Sequence, residues 1–93
     1  MATFILLSTL TDDGAKTIQK NPGRIREVNQ ELESMGVRVL SQWATMGPYD
    51  FINVVEAQDN VTMARVSAIL TSRGTIRVMT MPAIQIDDFI GAP

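Results

Sequence analysis

The first strand of this chain is apolar on both of its faces, and this feature constrains the fold most. Residues 3–10 alternate so that Phe4 and Leu6 lie on one face and Ile5 and Leu7 on the other. Continuous apolar strands are typical of the middle of a sheet that is covered on both sides. The chain must therefore place this strand centrally and find a cover for each face of its sheet.

Helical and extended patterns follow the first strand in a fixed order. The spacing of apolar residues and of turn and cap residues predicts a helix from Thr11 to Met35 that breaks at residues 21–23, strands over 37–46 and 51–57, a helix from Asn60 that ends at Gly74, and a strand over 75–81. The order β-α-β-β-α-β is the ferredoxin-like pattern, an α+β fold. Right-handed crossovers place both helices on one face of a four-stranded antiparallel sheet.

All of residues 1–93 form one domain in this interpretation, because a single core typically occupies about 50 to 200 residues. The last strand is expected to stop at Pro82. The tail over residues 83–93 contains four large apolar side chains, so we expect it to dock onto the domain through a short turn of helix.

The predicted packing leaves the second face of the sheet without helices. The first strand and the strand over 51–57 both carry apolar side chains in both registers. An uncovered face of this kind exceeds what monomers normally expose. The simplest cover is a second copy, sheet against sheet, so we expect a homodimer or a higher homo-oligomer built as a dimeric α/β barrel.

The chain contains neither Cys nor His. Without Cys there are no disulfides, thiolate nucleophiles or thiolate ligands, and without His the commonest general base and haem ligand are missing. Metals that prefer oxygen ligands need clustered carboxylates. The adjacent acidic pairs, Asp12-Asp13 and Asp87-Asp88, are better explained as parts of helix ends. We therefore expect no metal site and no cofactor.

Charge and hydropathy exclude two further classes of partner. The net charge is −2 and the eight Lys and Arg residues are scattered, so no basic field would attract nucleic acid. The apolar run over residues 4–7 is too short for a membrane span and lacks the basic flank of a signal peptide. We therefore expect no nucleic acid and no membrane as partners, and a cytoplasmic location.

The turn between the second and third strands carries the first two candidate site residues. Gly47 and Pro48 account for the turn itself, but turn chemistry does not require the Tyr49 and Asp50 that follow. This phenol and carboxylate could bind a polar ligand or move a proton. Alternatively, both residues have a structural role, in which Asp50 accepts hydrogen bonds from amides of its own turn and Tyr49 packs against the protein. Alternation favours this role, because it points the two side chains to opposite faces.

Trp43 is a third candidate. Alternation places it on one face of the second strand together with Val39, Ser41 and Thr45. An aromatic ring beside hydroxyl groups can form the wall of a site for a flat organic ligand. Packing in the core or in an interface is the favoured alternative.

Ser8 and Asn53 are the remaining candidates, because they are polar residues within apolar strands. Ser8 lies on the face of Phe4, and Asn53 lies in register with Val55. If those two faces coincide, Ser8 and Asn53 could contact one ligand inside the barrel. The alternative is a buried polar pair that backbone groups or water satisfy.

Three blocks of the sequence resemble the GYD-domain family. These are LSTLTDDGAKTIQKNPGRI, WATMGPYDFINVVEAQDN and TSRGTIRVMTMPAI, and Gly47, Tyr49 and Asp50 fall on the motif that names the family. The resemblance covers nearly the whole chain and implies a ferredoxin-like fold in the dimeric α/β-barrel group. It implies no reaction, because members of the family are largely uncharacterised. Trp43 departs from the family pattern, in which Tyr or Phe is expected.

Together these observations favour a homo-oligomeric module that binds a small organic molecule or serves as an accessory subunit. The alternative is a small cofactor-free enzyme, an oxygenase or isomerase that acts on a flat substrate through Trp43, Tyr49 and Asp50. A third interpretation is a plain assembly platform. A pocket around Trp43 or Tyr49 with convergent polar groups would favour the first two, and a filled barrel the third.

Overall fold

A computed structural model describes residues 1–91 of the chain. Its elements are β1 (Ala2–Leu10), α1 (Asp12–Lys20), α2 (Arg24–Ser34), β2 (Arg38–Ala44), β3 (Phe51–Ala57), α3 (Asn60–Ser72), β4 (Ile76–Ala83) and α4 (Ile86–Ile90). The predicted α+β class and ferredoxin-like pattern are confirmed. The first predicted helix is divided into α1 and α2 at the expected break, and α4 is added after β4.

The four strands form one sheet in the order β2-β3-β1-β4, and all neighbouring strands are antiparallel. Because β1 pairs with β3 on one side and β4 on the other, it lies inside the sheet, as its apolar faces predict. Phe4 lies opposite Val55, and Leu6 lies opposite Asn53. Cross-strand partners share a face, so the faces that carry Ser8 and Asn53 coincide.

Helices cover one face of the sheet. The core joins side chains of the sheet to one residue of α2 and three of α3, namely Phe4, Leu6, Val55, Leu32, Met63, Val66 and Leu70. The Thr11 hydroxyl caps α1 by accepting from the Gly14 amide at 3.2 Å, and the Asp59 carboxylate caps α3 by accepting from the Thr62 amide at 2.8 Å. These caps satisfy amides that a helix start leaves free, which fixes where each helix begins.

The predicted faces of β2 are wrong beyond Val39. The register shifts between Val39 and Ser41, so Leu40 is an extra residue that reverses the alternation. Val39 therefore shares the helix-covered face with Gln42, whereas Ser41 and Trp43 lie on the opposite face.

The predicted end of the last strand is also wrong. Pro82 lies inside β4, opposite Phe4. A proline cannot donate to a neighbouring strand, but β4 is an edge strand and needs partners on one side only. The strand therefore continues to Ala83.

The tail forms the expected short helix but does not dock within residues 1–91. Its four large apolar side chains are exposed to between 62% and 74%, and α4 has no buried residue. These side chains are Ile84, Ile86, Phe89 and Ile90.

Candidate functional site

A cavity of about 230 Å³ lies between the sheet and the helices. Its apolar wall includes Leu6 of β1, Ile18 of α1, Val28 and Leu32 of α2, and Val55 of β3. Helices α1 and α2 cover the cavity on the side away from the sheet. The chain changes direction between them at residues 21–23. Ligand sites have this character, an apolar wall with a few polar groups.

Ser8 and Asn53, two of the predicted site residues, line this cavity. They face the helices, so a ligand that they contact would lie outside a barrel of two sheets packed face to face, and not inside it as the sequence suggested. Ser8 is only 4% exposed, and Asn53 lies on the same face of the neighbouring strand. The Asn53 Oδ1 atom is buried and has no hydrogen-bond partner among residues 1–91. An unsatisfied buried oxygen of this kind costs about 1 to 3 kcal/mol, so the site has an unused hydrogen-bonding capacity.

A pair of side-chain amides that the sequence did not predict also lies at the cavity. The side chains of Asn29 and Gln42 donate to each other, from Asn29 Nδ2 to Gln42 Oε1 at 2.8 Å and from Gln42 Nε2 to Asn29 Oδ1 at 3.2 Å. Gln42 lies directly opposite Asn53 in the sheet. The bulge at Leu40 concealed this arrangement, because uninterrupted alternation places Gln42 on the other face.

Charged side chains line the cavity where it meets the surface. Glu31 accepts from Arg73 Nη2 at 2.6 Å and from Arg24 Nη1 at 3.1 Å, and Glu27 lies 3.2 Å from the same Arg24 nitrogen. The hydrogen bond from Arg73 lowers the pKa of the Glu31 carboxyl. The hydrogen bond to Glu27 raises the pKa of the Arg24 guanidinium. This network, called the arginine clasp below (Arg24, Glu27, Glu31 and Arg73), links α2 to the end of α3.

Asp50 joins the β2–β3 turn to β1. Its Oδ2 atom accepts from the Leu10 amide at 2.7 Å, and its own amide donates to the Ser8 carbonyl at 2.8 Å. The carboxylate therefore accepts from one backbone amide, that of Leu10 in β1. The structural interpretation predicted backbone amides as donors, but it was wrong in placing them in the turn of Asp50.

Tyr49 and Trp43 lie on the face of the sheet that has no helices. Tyr49 borders a shallow depression beside Leu7, Thr9 and Met79, and Trp43 is 64% exposed. Neither residue lines the cavity. The predicted site residues are thus divided among three places. Ser8 and Asn53 line the cavity, Trp43 and Tyr49 lie on the uncovered face, and Asp50 is hydrogen-bonded to β1.

The uncovered face is broadly apolar. It is called the open face below and consists of Ile5, Leu7, Trp43, Ile52, Val54, Met79 and Met81. Its central side chains are half-buried by their neighbours, and Trp43, Met79 and Met81 are exposed. Alternation in β1, β3 and β4 produces this face directly.

Comparison with known proteins settles the family. The model of the GYD domain matches residues 4–92. The chain belongs to the GYD-domain family. A relative from Thermus thermophilus is named glutamine synthetase and cystathionine beta-lyase binding protein. It is 62% identical over 91 residues, which are 97% of this chain and 96% of the relative. No solved structure matches the chain.

The three residues that name the GYD domain, Gly47, Tyr49 and Asp50, each have their own set of contacts in this structure. Gly47 lies in the turn, the Tyr49 carbonyl accepts from the Thr45 hydroxyl at 2.6 Å, and the Asp50 carboxylate accepts from Leu10. The motif of this GYD domain therefore closes the turn and ties it to the sheet.

Two further kinds of site were sought among the described residues. Within residues 1–91, no three acidic side chains come together in a way that could hold a metal ion. None of the helices in that range has the length and apolar character needed to cross a membrane. The cavity, the open face and the exposed apolar tail after β4 are the notable surfaces of residues 1–91.

Proposed function

We propose that this GYD domain is a homo-oligomeric accessory module that binds a metabolic enzyme. The observation that supports this most is the apolar surface left exposed by the described residues, which comprises the open face and the tail after β4. Contiguous exposed apolar surface is characteristic of protein interaction sites.

In this proposal a second copy covers the open face. The centre of that face consists of Ile5, Leu7, Ile52 and Val54, which resemble one half of a hydrophobic core. Permanent dimer interfaces have this composition, that of a core cut in two. Sheet-against-sheet packing would give the dimeric α/β barrel expected from the sequence.

The tail then remains for the enzyme partner. Ile86, Phe89 and Ile90 are exposed on the short helix α4 after the last strand, beside the acidic Asp87 and Asp88. The name of the Thermus relative describes a protein that binds two enzymes, and 62% identity over 91 residues supports carrying enzyme binding to this chain. A partner among metabolic enzymes agrees with the cytoplasmic location expected from the sequence.

Binding to glutamine synthetase and to cystathionine beta-lyase, measured by biolayer interferometry on the immobilised full chain, tests this proposal. We expect binding to at least one enzyme and a loss of about tenfold or more for Phe89→Asp, because the change places a charge in an apolar contact. Met46→Asp is the matched control, since Met46 is fully exposed in the β2–β3 turn, and it should bind like the original chain. Absence of binding to both enzymes, or equal binding by Phe89→Asp, would contradict the proposal.

A small-molecule site is a second function, and the cavity is the observation that favours it. Its volume of about 230 Å³ and its apolar wall suit a small ligand between sheet and helices. A ligand there would lie on the face opposite to the second copy, so the two functions are compatible.

The alternative of a cofactor-free enzyme has less support. It requires Trp43, Tyr49 and Asp50 to act on one substrate, but Trp43 and Tyr49 border the open face and the Asp50 carboxylate is bound to the Leu10 amide. The polar groups of the cavity are amides and a hydroxyl, which orient a ligand better than they move its protons.

A further inference from the structure

We propose that the cavity binds a small neutral molecule with one ring or one short branched chain and a single hydroxyl or carboxamide head. This inference rests on the small-molecule function proposed above and specifies the chemistry of its ligand. Size, head group and charge each follow from a separate observation.

The volume sets the size of the apolar part. A dry apolar cavity of about 150 Å³ in another protein accepts benzene. The present cavity of about 230 Å³ is larger, so it has room for a ring of that size and a head group. The side chains around it are mainly Leu, Ile and Val, which favour an apolar body.

Asn53 and Ser8 define the head group. Rotation of the Asn53 amide by half a turn exchanges its oxygen and its nitrogen, so this side chain can accept from or donate to a ligand. The Ser8 hydroxyl, on the neighbouring strand, can do both as well. A hydroxyl or a carboxamide matches these partners, because each of those heads contains a donor and an acceptor.

The Oδ1 atom of Asn53 has no donor among the described protein atoms, so a donor on a ligand can bind it. Its neighbour across the sheet, Gln42, is already paired with Asn29, and no other described residue supplies a donor to Oδ1. An apolar residue of similar size would fill this position at lower cost. A ligand donor would remove the cost, which gives the asparagine a function.

The charges around the cavity indicate a neutral ligand. The charged residues in its lining are Arg24 and Arg73, and both are paired with Glu31 in the arginine clasp. No free charge among the described lining residues would compensate a buried ion, whose burial is costly.

Titration with four probes of similar size, followed by ¹⁵N–¹H NMR spectra of the full chain, tests the inference. Benzyl alcohol and benzamide carry neutral heads, toluene has none, and benzoate is charged. We expect both neutral-headed probes to shift the amide signals around Ser8 and Asn53. Toluene and benzoate should bind with an affinity at least about tenfold lower, since one hydrogen bond is worth about that factor.

Variants separate ligand binding from structure. Ser8→Ala and Asn53→Leu should each weaken the binding of benzyl alcohol about tenfold. Asn53→Leu should nevertheless raise the melting temperature of the protein, because it removes an unsatisfied oxygen. Val28→Phe should abolish binding by filling the cavity. Ser41→Ala is the matched control, because Ser41 lies on the opposite face of the sheet, and it should leave binding unchanged.

The outcomes distinguish this inference from the function on which it rests. Toluene or benzoate binding as tightly as benzyl alcohol, or unchanged affinity in Asn53→Leu, would overturn the proposed ligand class but keep a small-molecule site. Failure of benzyl alcohol, benzamide and benzoate at about 10 mM, which is above the weak affinity expected of fragments, together with failure of toluene at saturation, would overturn both. Enzyme binding is measured separately and does not depend on either result.

Discussion

Gly14 lies where the first turn of α1 passes the backbone that leads into β4. A Cβ atom at this position would lie 1.9 Å from the carbonyl oxygen of Thr75 and 2.9 Å from its carbon. Backbone atoms cannot rotate aside as a flexible side chain can, so Gly14→Ala must displace α1. We expect the free energy of unfolding in urea to fall by about 1 to 3 kcal/mol, the usual cost of overpacking.

Gly23→Ala is the control for this prediction. Gly23 has φ −63° and ψ −13°, which alanine adopts readily, and a Cβ there would come no closer than 3.3 Å to the Asn21 side chain. We expect its effect to stay within about 0.5 kcal/mol. Equal losses in the two variants would show that the close approach to Thr75 is unimportant.

The hydrogen bond from Leu10 to Asp50 should contribute measurably to stability. Asp50→Ala leaves the partly buried Leu10 amide without its acceptor, and we expect the free energy of unfolding to fall by about 1 to 3 kcal/mol. Asp50→Asn keeps an acceptor at the same place and should recover much of the loss. An unfolding curve for Asp50→Ala that overlays that of the original chain would contradict this role for the family motif.

Single residues were predictable from the sequence where local alternation decides their position. Alternation along β1 and β3 was enough to predict that Ser8 and Asn53 face the core layer, and the structure places both in one cavity. The partner of Asp50 was not predictable, because Leu10 is 40 residues away in the chain. Such contacts depend on the register of the whole sheet.

Among the elements, β2 shows how one inserted residue defeats a sequence pattern. The bulge at Leu40 moves Gln42 to the helix-covered face and Trp43 to the open face together with Ser41. Nothing in the residue types around Leu40 indicates a bulge, since no glycine lies there. The open face therefore gained its exposed tryptophan, and the cavity its amide pair, through a feature that the sequence concealed.

Helix α3 should become less stable in acid through its cap. The backbone hydrogen bond from Thr62 lowers the pKa of Asp59 below its ordinary value of 3.8. Because the folded-state pKa is lowered, the stabilisation is complete above the unfolded pKa and is lost as the pH falls through the folded one. Asp59→Asn should therefore reduce the melting temperature by a few °C or less at pH 7 and flatten its decline between about pH 5 and pH 2.

A neighbouring substitution controls for general effects of charge. Asp13→Asn also removes a carboxylate from the first turn of a helix, and Asp13 is exposed, but its side chain does not cap that helix, because Thr11 does. It should leave the acid decline of the melting temperature unchanged. If Asp59→Asn and the original chain lose stability in parallel, the cap does not titrate as argued.

The overall fold could be predicted from a few sequence features, because these features agree with one another. A central strand apolar on both faces, a kinked helix at Pro22 and a hairpin at Gly47-Pro48 leave little choice besides the order β2-β3-β1-β4. The course of the tail was not predictable, because Ile84 to Ile90 have no partner within residues 1–91. Apolar pattern alone indicates that a segment will be covered, but not by what.

A second copy on the open face should be detectable from the mass of the protein in solution. Sedimentation velocity at micromolar concentration should show the original chain at twice the mass of one copy or more. Trp43→Glu would bury an unpaired carboxylate in the proposed interface, which costs about 3 kcal/mol. The dissociation constant of the dimer should therefore rise by about a hundredfold or more, and the chain should sediment as a monomer. Val61→Glu is the matched control, because Val61 is 58% exposed on α3, on the helical side of the sheet. If the original chain is a monomer, or if Val61→Glu also makes the dimer dissociate, sheet-against-sheet pairing is excluded. If only Trp43→Glu makes the dimer dissociate, the open face is the inner wall of a two-copy barrel.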